Sequence, residues 1–134
     1  MIELGKISHL RVLKTVPHGV YLDGDNLGEI LLPTRYLPNG CEVDDNVKVF
    51  IYRDSSDLLI ATTETPKVMV GEAAHLKVSQ INKIGAFLDW GLMKDLLVPF
   101  SEQSKPMEEG KYYVAYVYVD NSDRIVASTK LSNF

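Results

Sequence analysis

Val47-Lys48-Val49-Phe50-Ile51-Tyr52-Arg53-Asp54-Ser55-Ser56-Asp57-Leu58-Leu59-Ile60-Ala61-Thr62-Thr63 decides the fold, because its pattern returns 66 residues later. The second copy reads Tyr113-Val114-Ala115-Tyr116-Val117-Tyr118-Val119-Asp120-Asn121-Ser122-Asp123-Arg124-Ile125-Val126-Ala127-Ser128-Thr129. Both copies open with β-branched and aromatic residues at period two, the signature of a half-buried strand. Both then turn on Asp-x-Ser-Asp, whose short polar side chains bond their own backbone. Both close on a second apolar run ending in Ala-x-Thr. A strand, a four-residue turn and a strand therefore occur twice.

The same shift carries the rest of the chain onto itself without a gap. Gly5 falls on Gly71, His9-Leu10 on His75-Leu76, Val12 on Val78, Gly19 on Gly85, and Leu22-Asp23 on Leu88-Asp89. Leu31, Pro33 and Glu42 fall on Leu97, Pro99 and Glu108; with Tyr52/Tyr118 and the hairpin matches, 16 positions are identical. A constant register over this length argues for duplication against chance likeness of two β-rich stretches. Two copies are too few for a solenoid, so each unit has to close its own core. Pro66 marks the linker, giving units 1–65 and 66–134.

Nearer the start of each unit, Leu10–Leu13 and Leu76–Ser79 read as a first strand. Val20–Asp23 and Ala86–Trp90 read as a second, each opened by a glycine. Ile30–Leu32 and Leu96–Val98 read as a third, each closed by a proline. No stretch has a helical period. Five short strands with a longer loop between the third and fourth predict a small all-β barrel per unit, and closure removes exposed sheet edges.

The bulk numbers exclude more than they assign. At 134 residues, 46% hydrophobic and 24% charged, the chain is ordinary for a globular protein. No apolar run reaches the roughly 18–20 residues of a membrane span. The start, Met1-Ile2-Glu3-Leu4-Gly5, is neither basic nor apolar, so no secretion signal is expected. One cysteine, Cys41, precludes an internal disulfide, and with three histidines it forms no metal-ligand spacing. A cytoplasmic location, no metal and no cofactor are the expectations. No Walker loop, GxGxxG or Ser/His/Asp ordering is present, and Cys41 lacks an activating neighbour, so no catalytic role is expected.

The net charge of -4 argues against capture of a polyanion by bulk charge. Residues 1–65 carry 6 basic and 10 acidic side chains, whereas 66–134 carry 8 of each. A polyanion would favour the second unit.

The order of glycine, long first strand, Gly-x-aromatic-x-acid, short apolar strand, and Asp-containing turn into Ala-Ser/Thr resembles the S1 domain, an oligonucleotide-binding (OB-fold) barrel. In the second unit it is carried by Gly71-Glu72, Ile84-Gly85-Ala86-Phe87-Leu88-Asp89 and Asp120 through Lys130. In the first it is carried by Gly5-Lys6, His18-Gly19-Val20-Tyr21-Leu22-Asp23 and Asp54 through Thr63. Two stretches, Phe87 through Phe100 and Ala61-Thr62-Thr63-Glu64-Thr65-Pro66, further resemble the bacterial conserved virulence factor B (CvfB) family of S1-like RNA-binding proteins. The resemblance implies two tandem five-stranded OB-fold barrels and a regulatory role. It implies single-stranded RNA as partner, with single-stranded DNA as the alternative, and further C-terminal domains in a longer chain. The chain departs from the S1 pattern in three places. His18 and Ile84 stand where an aromatic is common, Leu32 and Val98 replace a strand-three histidine, and Leu58 replaces the basic residue kept as Arg124.

Strand alternation then nominates contact residues. If Val20/Leu22 and Ala86/Leu88 point inward, Tyr21 and Phe87 point outward. An outward ring on such a barrel stacks bases; the alternative is packing under a loop or against the other unit. Arg11 and Lys77 alternate with core positions and are expected beside those rings, to meet phosphate or simply solvent. Lys83, Lys94 and Arg124 extend a basic track in the second unit, and His18 either contacts ligand or serves its turn. Trp90 and the tyrosines of Tyr112–Tyr118 read mainly as packing residues. His9 and His75 read as structural, and the paired aspartates as turn formers. The competing reading is a protein-interaction scaffold whose acidic first unit meets a basic partner.

Overall fold

The computed structural model describes residues 1–133. The chain forms two compact units, one of Met1–Thr65 and one from Pro66 onward. In the first, β1 (Ile7–Val16), β2 (Gly19–Asp23), β3 (Glu29–Pro33), β4 (Asn46–Arg53) and β5 (Leu59–Thr62) close in the order β1-β2-β3-β5-β4. β3 and β5 run parallel through Leu31 and Ile60, and the other neighbours are antiparallel. The second unit repeats this with β6 (Ala73–Ile81), β7 (Gly85–Asp89), β8 (Leu96–Pro99), β9 (Tyr112–Val119) and β10 (Ile125–Ser128). Its parallel contact joins Leu97 to Val126. The fold is all-β, two tandem five-stranded OB-fold barrels.

Period-two alternation fills each barrel. Leu10, Val12, Val20, Leu22, Ile30, Leu32, Val47, Val49, Ile51 and Ala61 form the first core. Their counterparts Leu76, Val78, Ala86, Leu88, Leu96, Val98, Ala115, Val117 and Ala127 are buried in the second. Each large aliphatic side chain so buried contributes about 1.5–3 kcal/mol of transfer free energy.

The first strand is longer than its apolar run predicts. β1 pairs with β4 over Ile7–Arg11 and with β2 over Val12–Val16, so one strand serves two neighbours. Its register slips between Val12 and Lys14, and β6 slips at the equivalent place between Val78 and Gln80. The inserted residue is a β-bulge, which bends the strand and turns it around the barrel. Polar residues on the solvent side, such as His9 and Thr15, hide the full length from a hydrophobicity reading.

Gly19 and Gly85 are required by close approach. Their φ angles are +152° and +157°. A Cβ there would lie 2.2 Å from the Leu32 carbonyl oxygen or 2.3 Å from that of Val98. The Asp turns behave as their composition predicts. Asp54 Oδ1 accepts the backbone N–H of Ser56 and Leu58 at 2.8 and 3.1 Å. Asp120 Oδ1 accepts those of Ser122 and Arg124 at 2.8 and 3.0 Å. The long loop after each third strand starts with a 3₁₀ turn, Thr34–Tyr36 or Phe100–Glu102. Among the described residues, no helix is long and apolar enough to cross a membrane.

Candidate nucleic-acid interface

Tyr21 and Phe87 lie on the outer face of their barrels, each half-buried between two buried core positions. Register places Tyr21 between Lys14 on β1 and Leu31 on β3, with Ile60 beyond. Phe87 lies between Gln80 and Leu97, with Val126 beyond. Each ring therefore sits in a strip running across the sheet, with a polar residue at one end and an apolar one on the other side. In the first unit the strip borders a cleft of about 410 Å³ lined by Tyr21, Leu31, Leu58, Ile60, Glu29 and Arg53, among others. Leu58, 64% exposed, forms part of its rim.

The cation beside Tyr21 is Lys14, and the expectation of Arg11 is corrected. The Lys14 ammonium lies 5.2 Å from the ring centre and 3.1 Å from Glu29 Oε1. Strict alternation placed Arg11 beside the ring, but Val12 pairs with Leu22, which sets Arg11 toward Asp23, and the bulge at Leu13 then brings Lys14 opposite Tyr21. Arg11 instead binds Asp44 at 2.7 Å, with Asp23 at 3.9 Å. The same correction applies to Lys77, whose cross-strand neighbours are Asp89 and Tyr112, while Phe87 faces Gln80. Lys14 was missed because nothing in the hydrophobic pattern announces the bulge; the one available signal is the polar run Lys14-Thr15.

His18, exposed in the β1–β2 turn, meets the Tyr21 ring edge-on at 6.4 Å. Lys83 is exposed in the equivalent β6–β7 turn. Lys94 lies in the β7–β8 loop, which is pinned by Trp90: the indole N–H donates to the Lys94 carbonyl at 2.7 Å. Trp90 is 3% exposed and is a packing residue. Arg124 is held on Asp120, with its Nε and Nη2 at 3.2 and 3.1 Å from Oδ2. Burial by itself would raise the Asp120 carboxyl. The backbone N–H groups of Arg124 and Ser122, together with the guanidinium, outweigh it and hold the group below its ordinary value.

The structure thus gathers Tyr21, His18 and Lys14 around one ring, and it separates Arg11 and Lys77 from the rings. One packing expectation also changes. Tyr113, Tyr116 and Tyr118 are half-buried, but Tyr112 is 57% exposed. His75 is exposed too, its ring 5.4 Å from that of Tyr112. Tyr52 is buried, and burial is the main cause pushing its phenol up to about 12. Burial, then Asp45, pushes the Cys41 thiol up, away from a reactive thiolate. Among the described residues no group of His, Cys, Asp or Glu has the geometry to hold a metal ion.

Residues 4–64 and 70–130 each match the family model of the S1 domain. The chain is 31% identical over 114 residues to YitL, an uncharacterized protein of Bacillus subtilis (strain 168), covering 84% of this chain and 36% of that protein. A crystal structure described as a multidomain protein with nucleic acid binding domains, from Streptococcus pneumoniae TIGR4, superposes with a TM-score of 0.78. Its identity is 22%, over 92% of this chain and 45% of that one, so the likeness is one of fold. The chain spans less than half the length of either relative. Both barrels fall within matched segments, and the chain belongs to the S1 domain family, as a tandem pair.

Proposed function

We propose that the chain binds nucleic acid, with single-stranded RNA as the ligand and the outer faces around Tyr21 and Phe87 as the contact surfaces. One observation carries this reading. Two S1-family barrels present one half-exposed ring at the same position of the same strand, each beside a partly exposed leucine, Leu31 or Leu97. S1 membership supports nucleic-acid binding in general, and so does the fold shared with a protein described by its nucleic acid binding domains. RNA over DNA, and a regulatory role, rest on the resemblance of Phe87 through Phe100 and Ala61 through Pro66 to the CvfB family.

Each ring stacks one base, worth about 1–3 kcal/mol and indifferent to base identity. Phosphates meet Lys14 at the first ring and Lys83, Lys94 and Arg124 on the second barrel. Lys14 and Arg124 already hold carboxylates, so a phosphate has to compete for them. Weak sequence preference and a shallow salt dependence follow.

Fluorescence anisotropy with labelled single-stranded RNA and DNA at low and moderate salt tests the proposal. Saturable binding that falls in Phe87→Ala and Tyr21→Ala is the expected result. No binding at hundreds of micromolar protein would overturn it. The scaffold reading then gains ground, favoured by the ion pairs that occupy Arg11, Lys14 and Arg124 and by the exposed apolar Leu58.

A further inference from the structure

A second surface on the later barrel combines an exposed ring, a second ring and an uncommitted cation. Lys77 on β6 and Tyr112 on β9 are register partners, so their side chains share the outer face of that sheet. His75, two residues before Lys77, shares it as well and pairs with Val114. The His75 and Tyr112 rings sit 5.4 Å apart, tilted by 42°. Tyr112 is 57% exposed and Val114 45%.

The charges on this face favour an anion. Lys77 enters no ion pair among the described residues, unlike Arg11, Lys14 and Arg124. The acid opposite Lys77 is Asp89 on β7, whose carboxylate lies 3.8 Å from the Lys67 ammonium. The equivalent positions of the first barrel carry no such combination. Asn46 stands in place of Tyr112, and Arg11, in place of Lys77, is bound to Asp44.

The surface is also separate from the Phe87 strip. Phe87 pairs with Gln80, beyond the bulge at Ser79, whereas Lys77 and His75 lie before it on the length of β6 paired to β9.

We propose that Tyr112, His75 and Lys77 form a second single-stranded nucleic-acid subsite, outside the Phe87 strip and confined to the second barrel. Tyr112 stacks a base, His75 braces the ring, and Lys77 takes the adjoining phosphate. A strand that occupies both surfaces passes around β6, so the second barrel protects a longer segment than the first. The proposal rests on nucleic acid being the ligand.

The test compares oligonucleotides of two lengths on the whole chain. An oligomer of about four nucleotides, near the lower limit for one OB barrel, occupies a single ring strip, at Tyr21 or at Phe87, and one of about twelve reaches both surfaces of the second barrel. Tyr112→Ala is expected to weaken the long oligomer about fivefold or more while leaving the short one unchanged. Tyr112→Phe keeps the ring and retains binding. Lys77→Gln flattens the salt dependence of the long oligomer by about 0.7 in log–log slope, the value for one phosphate on a single strand.

Circular dichroism and thermal unfolding check that each variant folds, and Lys77→Gln, at an exposed site, serves if Tyr112→Ala does not. If the wild-type chain binds both lengths and neither Tyr112→Ala nor Lys77→Gln changes the long one, the second subsite is wrong and the Phe87 surface stands. If the wild-type chain binds neither length, the nucleic-acid reading itself fails. A concentration-dependent dimer in sedimentation, abolished by Tyr112→Ala, would assign this face to self-association and overturn the subsite.

Discussion

Lys14 and Tyr21 face each other across β1 and β2, with the Lys14 ammonium 5.2 Å from the centre of the ring. The same ammonium is 3.1 Å from Glu29 on β3, so it is shared between a π face and a carboxylate. Both groups are about half exposed, and an ion pair of this kind contributes about 0–1 kcal/mol. That is weak enough for a phosphate to displace.

Lys14→Gln should therefore reduce the affinity of the first barrel for single-stranded oligonucleotide and flatten its salt dependence by about 0.7 in log–log slope. Glu29→Gln should do the opposite, since it frees the ammonium and removes a charge that repels phosphate. Anisotropy titrations over a salt series read both. Identical slopes in all three proteins would show that Lys14 meets no phosphate.

Gly85→Ala should destabilise the second barrel. The residue's φ of +157° is unfavourable for an L side chain, and the new Cβ would stand 2.3 Å from the Val98 carbonyl oxygen. Steric conflict with backbone on β8 is not relieved by a rotamer change. The cost should exceed the ~1 kcal/mol typical of a point substitution. Gly40→Ala is the comparison: its φ is also positive at +73°, but nothing lies within 4 Å of the added Cβ. Thermal unfolding that ranked the two equally would refute the close-approach argument.

These two sites show what the sequence made legible. Gly19 and Gly85 stood out because they repeat, and the repeat also exposed the hairpins, the alternating cores and the outward rings at Tyr21 and Phe87. Those features depend on period-two alternation and on turn chemistry, both local in sequence. The bulges at Leu13 and Ser79 depend on closing the barrel, a non-local demand whose only mark, a short polar run such as Lys14-Thr15, is hard to tell from the polar face of the strand. The first-strand partner of each ring was consequently misplaced, by three residues. Arg11 was set beside Tyr21 where Lys14 stands, and Lys77 beside Phe87 where Gln80 stands. The exposure of Tyr112 was hidden for a different reason. An aromatic strand looks the same whether or not something covers its outer face.

Stability of the second barrel should fall in acid through Asp120. Its carboxyl is held below the ordinary value, so it adds stability above the unfolded-state value of about 3.9. That contribution is lost as pH falls through the lower folded-state value, because protonation removes both the charge facing Arg124 and acceptor strength toward the turn. Asp120→Asn should be less stable than wild type at pH 6 and closer to it at pH 2–3. Urea midpoints at the two pH values measure this. An undiminished gap in acid would mean that the carboxylate charge is not what stabilises the turn.

Leu58→Arg should transfer to the first barrel the basic residue that the second keeps as Arg124. Leu58 is 64% exposed at the rim of the cleft beside Tyr21, so the change removes little buried surface and should alter stability by less than about 0.5 kcal/mol. Its backbone N–H is bonded to Asp54 as that of Arg124 is to Asp120, so an arginine starts from equivalent backbone geometry. If the Tyr21 strip receives nucleic acid, the new guanidinium should tighten binding and steepen the log–log salt slope by about 0.7. The gain should disappear in the double variant with Tyr21→Ala, since a phosphate is held there only while its base is stacked. Tighter binding that survives loss of the ring would reflect added charge alone, and the first barrel would have no claim to a built site.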